Sequence, residues 1–158
     1  MRKLAFFFLA AVMAVGCKSK APVVSTKIDH SAQVGIKGNW KITNVTYAGS
    51  DYIKINSFDI AESKCFVGST WSFISNNNKG NMVLNHGNCP LFNSPIVWSV
   101  NKDGQFILKI IEGTKAKKVK EGYVLKVANQ TEKSFQLIDK VNVGGQMKDV
   151  VYQFEKNI

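Results

Sequence analysis

From Gly35 onward the chain is dominated by apolar and polar residues alternating with a period of two, and short clusters of Asn, Gly, Lys and Asp interrupt the alternation. That period sends successive side chains to opposite faces of a strand, so the texture predicts half-buried β-structure. Eight strands are expected. Gly38 to Tyr47 carries Trp40, Ile42 and Val45, Ser69 to Ser75 carries Trp71 and Phe73, and Asn81 to Asn85 carries Met82 and Leu84. Pro95 to Asn101 carries Ile96, Trp98 and Val100, and Gln105 to Glu112 carries Phe106, Leu108 and Ile110. Glu121 to Asn129 follows with Tyr123, Leu125 and Val127, then Lys133 to Asn142 with Phe135 and Leu137, and Met147 to Glu155 with Val150, Tyr152 and Phe154. The turns between them are rich in Asn and Gly, which tolerate the positive φ of tight hairpins; Asn101-Lys102-Asp103-Gly104 is the clearest. Between the first two strands, Ser57 to Glu62 reads as one helical turn with a serine cap.

Short connections make sequential strands antiparallel neighbours. Eight such strands with one apolar face each are best satisfied by closing into an up-and-down barrel, which removes both sheet edges. An open sandwich of two sheets is the structural alternative. The interior of an eight-stranded barrel has room for side chains or for one small ligand. The expected inward set is Trp71, Phe73, Met82, Leu84, Trp98, Phe106, Leu108, Tyr123, Leu125, Phe135 and Leu137. It would either line a cavity for an apolar or amphipathic molecule, with the Tyr123 hydroxyl as a polar handle, or fill the barrel as solid core. Ile107, Ile111 and Ile138 are expected on the outer face, where they are candidates for contact with a partner.

The N-terminus has a different texture. Arg2 and Lys3 precede an unbroken apolar run from Leu4 to Val15, too short for a membrane span and suited to the core of an export signal. Ala14-Val15-Gly16-Cys17 resembles a bacterial lipobox. The resemblance implies cleavage after residue 16, acylation of Cys17 and anchoring of the chain to a membrane by lipid. Residues 17–34 then read as a polar tether and 35–158 as the barrel domain. Lys18 follows the acylated cysteine where an inner-membrane retention signal would have Asp, and no acidic run follows, so the expected place is the periplasmic leaflet of the outer membrane.

The chain has 158 residues, room for one domain, and a net charge of +10. Its sole arginine, Arg2, falls in the export signal. A basic protein whose folded part lacks arginine is a poor reader of nucleic acid, and none is expected as a partner. Export places Cys65 and Cys89 where oxidation is favoured, and only one pairing is open to them. The competing reading, a metal held by these cysteines with His86 or His30, lacks the C-x-x-C spacing of a zinc site. No metal or cofactor is expected.

Gly38-Asn39-Trp40 at the head of the first strand resembles the Gly-x-Trp signature of lipocalins. The order that follows, with Cys65, Gly68-Ser69-Thr70-Trp71, Cys89, Trp98 and Tyr152-Gln153-Phe154, is similar to lipocalin-like lipoproteins of Bacteroidetes-type bacteria. The resemblance implies an eight-stranded barrel with Trp40 packed across its closed end. It also implies a role in binding or carrying a small hydrophobic, lipid-like ligand. The chain departs from the family in lacking a Thr-Asp-Tyr-type motif, the arginine near the chain end that packs on the tryptophan, and a long C-terminal helix.

Nothing in the sequence assembles a catalytic group. His30 falls in the tether and His86 in a loop, neither within a nucleophile–base pattern, and the acids are scattered over turns and polar faces. The run Lys115-Ala116-Lys117-Lys118-Val119-Lys120 reads as a solvated loop, with contact to a membrane surface or an acidic partner as the alternative. No enzymatic activity is expected, and the alternative to ligand binding is a structural or interaction lipoprotein with a filled barrel.

Overall fold

The structure, a computed structural model, describes residues 27–49, 53–113 and 115–157. Cys17, the expected export signal and the first part of the expected tether lie outside the described residues. Helix α1, His30–Ile36, leads into strand β1, Gly38–Tyr47. A small hairpin of β2, Asn56–Ser57, and β3, Ala61–Glu62, comes next, then a 3-10 turn at Ser63–Phe66. Strands β4 (Thr70–Ile74), β5 (Lys79–Leu84), β6 (Phe92–Val100) and β7 (Gln105–Ile110) follow. Helix α2, Ala116–Glu121, precedes β8 (Tyr123–Ala128), β9 (Ser134–Val143) and β10 (Gln146–Lys156).

Eight strands close into an antiparallel barrel in the order β1-β10-β9-β8-β7-β6-β5-β4, and β4 pairs back onto β1. This is the up-and-down barrel that the alternation predicts. Burial repeats every second residue, as in β7, where Phe106, Leu108 and Ile110 are buried and their neighbours are not. In β1 the period slips. Trp40 and Ile42 face inward, and a bulge between Ile42 and Asn44 then lets Val45 return to the interior. A bulge inserts one extra residue and re-aims those that follow, so an apolar spacing of two and then three still builds one inner face.

Three local expectations shift. The helical turn after β1 is present at Ser63–Phe66, while Ser57 to Glu62 forms the β2–β3 hairpin. The lysine-rich run, expected as a loop, coils into α2, closed by Gly122 at φ 83°. The stretch before Gly35, expected as tether, is part of the folded body from residue 27. Ile28 bridges to Asn101, and Asp29 caps α1 by accepting from the backbone N–H groups of Ser31 and Ala32. Capping satisfies N–H groups that a helix end leaves without partners, which lets so short a helix form. Among the described residues no helix is long and apolar enough to cross a membrane.

Candidate functional site

The two barrel ends are built differently. At the α1 end, Gly38 takes φ 125°, a conformation L side chains rarely adopt, and turns the chain from the helix into β1. Trp40 is fully buried and its indole Nε1 donates to the Ile36 carbonyl at 2.6 Å. Its ring meets Phe135 edge-on at 4.7 Å, and Phe135 stacks on Phe154 at 4.6 Å. The Lys156 ammonium lies 5.4 Å from the centre of the Trp40 ring. The sequence reading finds no arginine to pack on this tryptophan; the structure supplies a cation from Lys156 instead.

At the other end the segment 53–66 folds across the mouth. Phe58, at the tip of the β2–β3 hairpin, is 4% exposed. Its ring lies 5.2 Å from those of Phe66 and Tyr123, 5.5 Å from Tyr152 and 6.4 Å from Trp71. Hydroxyls hold the segment down. Tyr123 donates to the Phe58 carbonyl at 2.7 Å, Tyr47 to the Ile53 carbonyl at 2.9 Å, and Tyr152 to the Ser57 hydroxyl. Ser57 and Ser63 share a hydrogen bond of 2.7 Å, and Ser63 donates to the Ile55 carbonyl at 2.6 Å. The Cys65–Cys89 disulfide ties the 3-10 turn to the loop before β6. Both cysteine sulfurs are thereby committed, which removes the metal alternative for them. No group of three or more His, Cys, Asp or Glu among the described residues is placed to hold a metal ion.

All eleven residues expected to face inward are buried in one contiguous core. They pack against one another. Phe73 lies 5.1 Å from Trp98, 5.6 Å from Phe106 and 6.4 Å from Phe135, and Trp98 stacks on Phe106 at 5.7 Å. One depression of about 350 Å3 runs over Gln105, Val124, Lys126 and Ile138. Of the residues expected outside, Ile111 is 41% exposed, while Ile107 and Ile138 are half-buried in the outer face.

The sequence reading missed Phe58, Phe66 and Asp139. The two phenylalanines lie in an irregular stretch where no period marks them. Asp139 carried a signal, because it continues the inward phase of Phe135 and Leu137 along β9. Burial pushes the Asp139 carboxyl up to about 6, and the Lys118 ammonium opposes that rise. Burial also raises the Tyr152 hydroxyl well above its ordinary value, against the hydrogen bond with Ser57. Lys118 in turn lies 4.8 Å from the centre of the Tyr123 ring. The mouth is thus an aromatic plug with hydroxyl latches, one half-buried acid and a lysine-bearing helix beside it.

Comparison with curated protein sequences gives no match. Among solved structures, bovine odorant-binding protein in complex with its natural ligand is similar at 14% identity and a TM-score of 0.44, over 78% of this chain and 72% of that one. The same bovine protein in complex with a selenium-containing odorant is similar at 14% identity and a TM-score of 0.45, over 87% of this chain and 78% of that one. Residues 36–137, more than half of the chain, match the family profile described as a lipocalin-like domain. The chain therefore belongs to the lipocalin-like domain family.

Proposed function

We propose that the protein is a lipid-anchored envelope lipoprotein whose barrel binds or carries a small hydrophobic ligand. The observation that carries the ligand reading is the convergence of inward apolar side chains from every strand between β4 and β9 on one closed interior, in a chain of the lipocalin-like family. Such an interior offers a ligand apolar surface throughout and only a few polar groups, notably the Tyr123 and Tyr152 hydroxyls at the mouth. The anchor rests on the lipobox-like tetrad ending at Cys17, and the outer membrane's periplasmic leaflet is the proposed place.

A second reading is favoured by the ring contacts: a barrel filled by its own side chains, acting through its outer face on an envelope partner. Exposed Val97, Ile111 and Val124 are the apolar residues it would use. Native mass spectrometry of the protein purified from membranes, with organic extraction of adducts, separates the two. A lipid-like mass at one per chain supports the carrier. An adduct-free mass that does not change with fatty acids or isoprenoids overturns it and favours the filled barrel.

A further inference from the structure

The tip of the β2–β3 hairpin breaks a local rule. Phe58 and Asp59 take φ 56° and 57°, with the Ile60 N–H donating to the Ser57 carbonyl at 3.0 Å across the turn. Such turns ordinarily take Asn or Gly, because a side chain crowds the backbone at positive φ. A bulky aromatic at that position marks a conformation held by its surroundings. What holds it is the ring's burial among Phe66, Trp71, Tyr123 and Tyr152. The hairpin has no ladder to the barrel, since β2 and β3 form a separate two-stranded sheet. Its grip on the strands comes through side chains, chiefly the Tyr123 and Tyr152 hydroxyls and the Phe58 ring. The exposed pair Lys115–Asp59, at 4.0 Å, adds little. A ligand with one ring and one acceptor can replace the Phe58 ring and the Tyr123 hydrogen bond.

We propose that Phe58 is a built-in occupant of the binding site, displaced when the hairpin lifts and a compact aromatic ligand bearing a hydrogen-bond acceptor takes its place. The ligand ring fills the space between Tyr123, Tyr152 and Trp71, and its acceptor takes the Tyr123 hydrogen bond that the Phe58 carbonyl now holds. Dry apolar cavities of about 150 Å3 take up benzene, so the apolar space that the Phe58 ring occupies suits a compact aromatic molecule. The disulfide at Cys65 keeps the far side of the segment on the barrel, so the motion is confined to the hairpin. This inference rests on the ligand-binding reading above and deepens it by naming the ligand's chemistry and the residue that guards the site.

The test uses the exported chain carrying Cys17→Ser, which keeps acyl chains out of the assay, with acetophenone and ethylbenzene as probes that share a ring and differ in one carbonyl. In the Phe58→Gly variant, acetophenone is expected to bind one per chain at least tenfold more tightly than to the parent, and several-fold more tightly than ethylbenzene. Adding Tyr123→Phe is expected to erase the preference between the probes. If Phe58→Gly does not fold, Tyr123→Phe alone removes one latch and is expected to raise ethylbenzene affinity at least threefold; unchanged affinity overturns the proposal. If Phe58→Gly and the parent bind equally well at one per chain, the plug is refuted while the ligand-binding reading stands. If a folded Phe58→Gly variant and its parent bind neither probe, the plug falls. Native mass spectrometry of the membrane-purified protein then decides the ligand-binding reading on its own.

Discussion

The two ends of the barrel are closed by different kinds of bond. At the α1 end the closure is largely main chain. Asp29 N–H donates to Val100 at 2.8 Å, Lys102 N–H to Lys27 at 2.9 Å, and Asn157 N–H to Asn39 at 2.9 Å. The Trp40 indole adds a bond to the Ile36 carbonyl in a fully buried setting. At the hairpin end the covering segment is held by hydroxyls, one disulfide and one phenyl ring. Main-chain closure is given up only by breaking backbone hydrogen bonds. Side-chain closure can be given up locally, contact by contact, so the hairpin end is the one expected to open first.

The α1 end depends most on Trp40. Trp40→Ala removes a wholly buried indole and is expected to cost about 3–5 kcal/mol of global stability, read as a lower midpoint in urea. An equal loss of amide protection only near α1, with the global midpoint unchanged, would show that this end is not the fixed one. Replacing Cys65 and Cys89 by Ser opens a loop of sequence separation 24, and chain entropy puts the loss at roughly 3 kcal/mol. Its signature is faster hydrogen exchange in 53–66 than at α1.

A third effect depends on pH. The Asp139 carboxyl titrates at about 6 in the folded protein against an ordinary value of 3.8, so ionisation is disfavoured by folding. The associated stability is fully present below about pH 3.8 and is lost as pH rises through about 6, a change of at most about 3 kcal/mol. Asp139→Asn is expected to be more stable than the parent at pH 7.5 and to match it near pH 3.5. Parallel pH profiles for the two proteins would remove Asp139 as the cause. The smallest effect is at Lys156. Losing its contact with the Trp40 ring in Lys156→Ala is expected to cost about 0.5–1 kcal/mol, with Lys156→Arg restoring it, in thermal melts.

The strands were legible because each depends on its own alternation. Trp98, Phe106 and Leu108 point inward by the same period that makes their segments strands. The ends of strands were less legible. Pro95 reads as the start of a strand, yet β6 begins at Phe92, because β6 pairs with β5 from Phe92 opposite Leu84 onward and Pro95 sits within that ladder opposite Asn81. The short helices were hidden for another reason. Seven residues of α1 carry too little period to be seen, and the helix depends on the Asp29 cap and on docking of Ile36, which is fully buried. Asp139 was visible by its phase, but an acid on an apolar face is discounted until its burial is seen.

The amino-acid sequence by itself determined the barrel, its order of strands and its inward face, since strand periodicity and turn chemistry act over a few residues at a time. It also marked the cysteines as partners and Trp40 as a landmark. Only the tertiary structure decided that Phe58 enters the core, that Tyr123 and Tyr152 hold the hairpin over it, and that Lys156 covers Trp40. Tyr123 and Phe58 are separated by 65 residues, and Tyr152 and Ser57 by 95. No local pattern encodes such pairs; they exist because closing the barrel brings distant strands to one mouth and leaves a single apolar space that a nearby loop can fill.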